Sequence, residues 1–278
     1  VQLAIIIPVY NEAKLAPLLL ERLLRTPPPG LPIDTDEPET SHARVRLTRR
    51  IYVIDDGSTD ATAEALARIA TSAEAHGSIT LLRHTQNRGK GAAVRTGLEA
   101  AMRNNADLIL IQDADLEYDP RDHARVLEPM LDGRADAVVG TRFGGEAHRV
   151  LYFWHYLANR FITLCSNVFT NLNLSDVECC LKAFSAEVAS QLHLRENRFG
   201  IEPELVAKLA RARVRSPGHA ASLAHSSTTP STLRPARVFE VAVSYAGRTY
   251  AEGKKIKPRD GLAALWCIVK YGFASRTR

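Results

Sequence analysis

Two aspartates one residue apart, Asp113 and Asp115, follow the apolar run Leu108-Ile109-Leu110-Ile111, and a second pair, Asp55 and Asp56, follows Ile51-Tyr52-Val53-Ile54. Carboxylates spaced this way at a strand end can turn their oxygens toward one cation. A hard divalent ion such as Mg²⁺ or Mn²⁺ takes one or two protein carboxylates and fills its shell with phosphate oxygens and water. It thereby holds a diphosphate and neutralises the charge that builds on it as a leaving group. A single D-x-D is a weak signal; its recurrence beside a second acidic strand end strengthens it. Pro8-Val9-Tyr10-Asn11-Glu12 and Asp55-Asp56-Gly57-Ser58-Thr59-Asp60 occupy equivalent places, although Asn11 and Asp60 suit helix N-caps and Gly57 suits a turn.

These residues need a scaffold that presents strand ends together. Short apolar runs at 3–9, 51–54, 79–82, 108–111 and 137–139 alternate with helical patterns at 60–75, from about 89 and from about 119. That rhythm predicts βαβ units and an α/β fold with a Rossmann-like, doubly wound, mostly parallel sheet flanked by helices, whose ligands gather at the carboxyl ends of the strands. Amphipathic helices are predicted over 152–169 and 202–213, covering those ends, and a further strand over 238–243. Residues 26–48 and 216–236, rich in Pro, Ser and Thr with little periodicity, read as flexible loops. The whole chain, 1–278, reads as one domain: a half for a nucleotide ligand at 1–145, a second half at 146–256 and a C-terminal amphipathic helix at 257–278.

The 278 residues are 45% hydrophobic, enough for a sizeable core, and carry a formal charge of +5. The charge is uneven: residues 215–278 hold eleven Lys and Arg against three acids, and the remainder is net −3. The C-terminal quarter therefore favours an anionic partner, a phosphate group or an acidic lipid surface; no interleaving of aromatic and basic residues points to nucleic acid. Cys165, Cys179, Cys180 and Cys267 lack metal-ligand spacing and read as reduced, cytosol-facing thiols. No stretch reaches the ~20 apolar residues of a membrane span, so a cytoplasmic or peripherally membrane-bound protein is expected.

Taken together, Pro8 to Glu12, Asp55 to Asp60, Asn87-Arg88-Gly89-Lys90-Gly91 and Asp113-Ala114-Asp115 resemble glycosyltransferase family 2, which has the GT-A fold. Further motifs are similar to the dolichyl- or polyprenyl-phosphate hexose synthases of that family. They are Gly140-Thr141-Arg142-Phe143, Asn159-Arg160, Asp176-Val177-Glu178-Cys179-Cys180-Leu181-Lys182, residues 198–204 and residues 248–255. The resemblance implies an inverting transfer of a hexose, glucose or mannose, from UDP-glucose or GDP-mannose to a polyprenyl phosphate. The other readings are a small-molecule, glycan or peptide acceptor, and a nucleotide-sugar-binding protein without turnover.

Carried over by position, the resemblance implies that Pro8, Tyr10, Glu12, Asp55, Asp56, Arg88, Lys90, Asp113 and Ala114 surround the donor nucleotide. Arg248, Lys254 and Lys255 would fold over its diphosphate, though a solvated basic face is the ordinary reading of such a run. Asp113, Asp115 and Glu117 would hold Mg²⁺ or Mn²⁺. Arg142, whose guanidinium can grip a phosphate through two parallel hydrogen bonds, would position the acceptor. Arg160, on an otherwise apolar helix, either meets an anion or snorkels to water. Asp176 is the first candidate base should the acceptor be an alcohol, or else a loop cap. Glu202 and Glu204 open a helix whose dipole favours acids, and Glu204 is assigned to the acceptor. The helix at 262–273, with Trp266 and Tyr271, either docks on an anionic bilayer or packs on the domain.

Overall fold

The structure is a computed structural model that describes residues 1–28, 47–75, 77–145, 149–150, 152–215, 232–249, 252 and 258–273. Its axis is β1 (Gln2–Val9), an almost unbroken aliphatic run, which pairs in parallel with β2 (Thr48–Asp55) on one side and β4 (Leu108–Ile111) on the other. A strand of this composition is buried on both faces, as a parallel sheet between helices requires. Beyond β2 lies β3 (Ile79–Arg83). Beyond β4 come β6 (Lys182–Ser185), antiparallel to its neighbours, then β5 (Ala137–Thr141) and β9 (Val238–Ala242), which pair in parallel. The seven strands thus run in the order β3-β2-β1-β4-β6-β5-β9.

Alternation along β1 divides the core into two layers. Leu3, Ile5 and Ile7 join Leu19, Leu20 and Leu23 of α1 (Leu15–Arg25) and Val126 and Leu127 of α4 (His123–Leu131). Ala4 and Ile6 join Ala93 and Val94 of α3 (Lys90–Arg103) and Leu205 and Val206 of α7 (Ile201–Leu209). Full burial contributes about 1.5–3 kcal/mol for each large aliphatic side chain, so the sheet axis is the best-anchored part of the molecule. The remaining helices are α2 (Thr62–Ala70), α5 (Phe153–Thr170), α6 (Ala186–Ala189) and α8 (Pro258–Phe273), and α8 lies against both α5 and α7.

The α/β architecture agrees with the sequence reading, with local departures. The helix expected over 60–75 stops at Ala70 and is followed by a single 3₁₀ turn, Ala73–Ala75. The helix expected over 202–213 ends at Leu209, and Arg213–Arg215 form β7, which pairs with β8 (Leu233–Pro235). The predicted loop 216–236 therefore ends in a strand; its residues 216–231, like 29–46 of the first loop, lie outside the described residues. No periodicity announced β6, because its first residue is a lysine with no exposed surface, against the usual preference of lysine for water.

Close packing of α3 on the axis rests on Gly97, where a Cβ would lie 2.5 Å from Ile6 Cγ2 and 2.8 Å from Ile54 Cδ1. Overpacking of this kind costs about 1–3 kcal/mol, or ~2–12 °C in a chain of this size. Gly97→Val should therefore lower the thermal midpoint followed by circular dichroism; an unchanged midpoint would mean that α3 is free to shift on the sheet.

Candidate active site

The carboxyl ends of β1, β2, β4 and β5 open on one side of the sheet, and the segment entering antiparallel β6 arrives at the same side. Together with the start of α7 and the residues after β9 they enclose a cavity of about 430 Å³. Among the described residues, seven acidic side chains line it against four from Lys and Arg. The backbone is shaped to bring them in: Asn11, Gly57 and Leu116 all take positive φ where the chain turns off a strand. At Gly89 (φ 96°) a Cβ would fall 2.3 Å from the Asn197 carbonyl, so only glycine lets α3 start against that loop.

Part of the cavity wall is a set of carboxylates shared, among the described residues, by few cations. Lys90 Nζ lies 2.7 Å from Asp113 Oδ1 and 2.9 Å from Glu202 Oε1. The other Glu202 oxygen meets Lys182, which is buried completely and also donates to the Val177 and Cys179 carbonyls. Burial pushes the Lys182 ammonium down, but Glu202 together with the neighbouring Cys179 and Cys180 holds it above its usual range. Arg248 spans the next three acids, with Nη2 2.7 Å from Asp115, Nη1 3.1 Å from Glu12 and Nε 3.5 Å from Glu117. Glu117 is also tied by the Tyr245 hydroxyl at 2.8 Å. Even so, burial and the neighbouring Asp113 and Glu117 push Asp115 up to about 7 against the pull of Arg248. Two carboxylates on one strand-end loop, one of them raised by its acidic neighbours, fit a hard divalent cation. Among the described residues no cluster of three or more His, Cys, Asp or Glu could hold a metal, so a cation at Asp113 and Asp115 needs oxygens from a bound ligand.

Arg142 lines the same cavity, its guanidinium carbon 5.1 Å from the centroid of the Tyr245 ring whose hydroxyl meets Glu117. Asp176 accepts from its Nε at 2.6 Å, its Nη2 at 2.7 Å and its backbone N–H at 3.1 Å, and from Asn159 of α5 at 2.9 Å. Burial raises Asp176, yet Arg142 and Asn159 together hold the carboxyl below its usual range. Phe143 meets Tyr156 of α5 edge-on at 5.2 Å, joining the mouth of the cavity to that helix.

Most of the expected donor residues come together: Pro8, Tyr10, Glu12, Asp56, Lys90, Asp113, Ala114, Asp115, Glu117, Arg142 and Arg248 all line the cavity. Others do not. Asp55 is buried behind the wall, accepting from the Ser58 N–H at 2.9 Å and pairing with Arg83 at 3.2 Å. Asp56 reaches the wall, but its oxygens are committed to His84 and to the Arg88 and Gly89 N–H groups, so it clamps the 87–90 loop. The Arg88 side chain is exposed outside the cavity. Glu204, expected at the acceptor, is instead fully buried and accepts from the Arg195 and Glu196 N–H groups and Lys208. It is Glu202, on the preceding face of the same turn, that lines the cavity. Asp176 sits behind Arg142 with no exposed surface, which suits positioning rather than proton abstraction. Arg160 is exposed on α5, 3.3 Å from the Ser175 carbonyl. Lys254 and Lys255 lie outside the described residues. The sequence reading assigned no role to Glu178, Cys180, Tyr118, Phe199 or Tyr245, which also line the cavity; the first two precede an antiparallel strand, so a search of strand carboxyl ends passes over them.

The glycosyl transferase family 2 profile matches residues 4–192. The chain belongs to glycosyltransferase family 2. This glycosyltransferase is 31% identical over 198 residues to the undecaprenyl-phosphate 4-deoxy-4-formamido-L-arabinose transferase of Yersinia enterocolitica, a match covering 70% of the chain and 52% of the relative. The Pectobacterium carotovorum protein of the same name is 29% identical, covering 69% and 52%. The chain thus spans about half the length of the curated relatives it matches. Its fold is GT-A. Glucosyl-3-phosphoglycerate synthase from Mycobacterium tuberculosis, solved with Mn²⁺, UDP and phosphoglyceric acid, superposes with a TM-score of 0.60 at 15% identity, over 98% of this chain and 78% of that one. A mannosyltransferase from Pyrobaculum calidifontis, solved with GDP-Man and Mn²⁺, gives 0.53 at 19% identity, over 98% and 70%.

In this family 2 glycosyltransferase, Glu202 ties Lys90 to Lys182. Burial alone would raise its carboxyl, but the two ammonium groups hold it down at about 2. Because the folded state binds this proton more weakly than the unfolded chain, the stabilisation is complete above about pH 5 and is lost as pH falls toward 2. Glu202→Gln should cost about 3–5 kcal/mol at pH 7 and flatten the acid side of the stability curve measured by urea unfolding. An acid limb identical to that of the wild type would show that the pair is not formed.

Proposed function

We propose that the protein is an inverting, divalent-cation-dependent glycosyltransferase that moves a hexose, glucose or mannose, from UDP-glucose or GDP-mannose to a polyprenyl phosphate at a membrane surface. The observation that carries this reading is the union of an anion-gripping arginine with an outward apolar helix face. Arg142 opens on the cavity, its fork fixed by Asp176, and Asp176 is held in turn by Asn159 of α5. From there α5 exposes Phe153, Leu157, Phe161, Leu164 and Val168, spaced at three or four residues so that they form one stripe. On the adjoining α8, Leu262, Trp266 and Val269 continue the exposed apolar surface, while Ala264, Cys267 and Ile268 pack inward. Both expectations for the C-terminal helix are thus compatible: one face packs and the other is free. Single exposed apolar residues are ordinary, whereas two adjoining stripes of this extent suit an interface. An ionised headgroup carrying a long apolar tail matches an arginine beside such a surface. Among the described residues no helix is long and apolar enough to cross a membrane, so the docking proposed for them is peripheral.

In the proposed reaction the acceptor phosphate attacks the anomeric carbon from the face opposite the nucleoside diphosphate. That phosphate is already ionised near neutral pH, so Arg142 need only orient it, and no strong base is required. Pro8, Tyr10 and the 87–90 loop would contact the nucleoside, and Lys90 would set a positive charge beside the diphosphate. Mg²⁺ or Mn²⁺ held by Asp113 and Asp115 would draw off the negative charge that develops on the departing nucleoside diphosphate. Arg248 occupies the same acids, and its charge becomes available to the phosphates once they bind.

A donor-by-acceptor screen with Mg²⁺ and Mn²⁺, scoring nucleoside diphosphate release and lipid-linked sugar, tests the reading. The expected outcome is transfer to polyprenyl phosphate, abolished in Asp115→Ala. In Arg142→Ala, kcat/KM for the lipid phosphate should fall about 10–100-fold, the size of one lost charge-assisted hydrogen bond. Turnover only with a soluble phosphorylated or alcohol acceptor would replace the lipid reading.

Flotation with liposomes containing anionic lipid should recover the wild-type protein and lose Phe161→Glu/Trp266→Glu. Equal recovery of the two proteins would remove the proposed docking face.

A further inference from the structure

Every other acid that lines the cavity has a partner. Glu12 and Asp115 meet Arg248, Asp56 meets His84, Asp113 meets Lys90, Glu117 meets Tyr245 and Glu202 meets two lysines. Glu178 is different. It lies on the cavity wall in the segment that enters β6, its Oε1 is shut off from water, and that oxygen takes no hydrogen bond. A carboxyl group withdrawn from water without a partner lowers the stability of the fold. Such a group belongs where a ligand completes it, since sites are where a chain departs from its own folding optimum.

Its neighbours locate the missing partner. The charges that act on Glu178 are those of two ion pairs, Glu202 with Lys182 and Arg142 with Asp176. Glu202 leads through Lys90 to Asp113, where the proposed function puts the donor diphosphate, and Arg142 is where it puts the acceptor phosphate. The transferred sugar must lie between those two points.

We propose that Glu178 is a specificity-determining residue that takes a hydrogen bond from a donor substituent of the transferred sugar ring. This inference rests on the proposed donor and acceptor ends of the cavity. The class of substrate it selects is a nucleotide sugar with a free hydroxyl, amine or N-acyl N–H directed at residue 178, and it disfavours a deoxy or O-alkylated carbon there. Burial and then Glu202 push the carboxyl up to about 7, so both of its protonation forms are present near neutral pH. A hydroxyl can serve either form, because it both donates and accepts. The terminal torsion of a glutamate is broad, so its two oxygens can exchange places to meet the ring. Asp176 cannot substitute for Glu178, because its oxygens are already bound to Arg142 and Asn159.

The test uses the full chain with Mn²⁺, as wild type, Glu178→Gln and Glu178→Ala. UDP and GDP binding is measured by calorimetry, and turnover with UDP-glucose, GDP-mannose and their monodeoxy analogues. Both variants should melt at or above the wild-type temperature, because an unpaired buried carboxyl is removed; a lower midpoint in both would assign Glu178 a structural role and overturn the proposal. The affinity for the bare nucleoside diphosphate should stay within about twofold, while kcat/KM for the preferred sugar nucleotide falls at least about tenfold in Glu178→Ala. One monodeoxy donor should lose a similar factor in the wild type and nothing further in Glu178→Ala, the mark of a removed pairwise contact. Equal losses for every deoxy donor in all three proteins would overturn the inference and leave the function standing. So would a loss confined to alcohol acceptors together with the disappearance of a pH limb near neutrality, which would make Glu178 a general base. A wild type that binds neither UDP nor GDP would remove the functional reading itself, and this inference with it.

Discussion

Crowding of negative charge at one edge of the sheet is the constraint on which the rest of the molecule depends. Carboxylates withdrawn from water repel one another strongly in a medium that screens poorly, and they can remain ionised together only if cations stand between them. The protein supplies two such arrangements. One is a ladder of alternating sign, Asp113 to Lys90 to Glu202 to Lys182, that runs from the cavity into the core. The other is a single guanidinium, Arg248, shared by Glu12, Asp115 and Glu117. The ladder is anchored in the sheet, because Lys182 opens β6. Arg248 belongs to a segment after β9 that reaches the acids only through tertiary folding. Among the described residues the acids of this site outnumber its cations, a setting in which the proposed divalent cation and phosphate ligand would bind together.

The antiparallel strand accounts for the other half of the cavity. In an all-parallel sheet the residues before a strand lie at the far edge from the ligand. With β6 inserted in reverse between β4 and β5, the segment from Asp176 to Cys180 arrives at the ligand edge instead. It brings both the carboxylate that fixes Arg142 and Glu178, whose buried Oε1 takes no hydrogen bond. One reversed strand of four residues thus adds to the strand termini, proposed as the donor end, a second wall from the entrance to β6 and from α5, proposed as the acceptor end.

That acceptor end is continuous with the surface. Val177 donates its N–H to Thr163 of α5 at 3.1 Å, and Asn159 one turn earlier reaches Asp176. The buried polar side of α5 therefore holds the loop that holds Arg142, while its opposite side is the apolar stripe.

What the sequence determined by itself was the parallel part of the sheet and the acids at its strand ends. Aliphatic runs such as 3–9 have few ways to be buried, and a ligand edge follows from strand direction alone. The pairing of those acids was beyond it. Asp55 and Asp56 look alike in the chain, yet one is spent on Arg83 and a turn N–H and the other clamps the 87–90 loop. Glu202 and Glu204 sit two residues apart on one helix, about 200° around its axis, so only one can face the cavity, and the packing of α7 chose Glu202. Glu178 and Lys182 stood in a family-like motif without an assigned role, and Tyr245 stood in none, because their roles depend on partners distant in the chain. Local pattern fixes which way a strand runs and which face it buries; which charges meet is decided only when segments far apart are folded against one another, since electrostatic energy depends on distance in space.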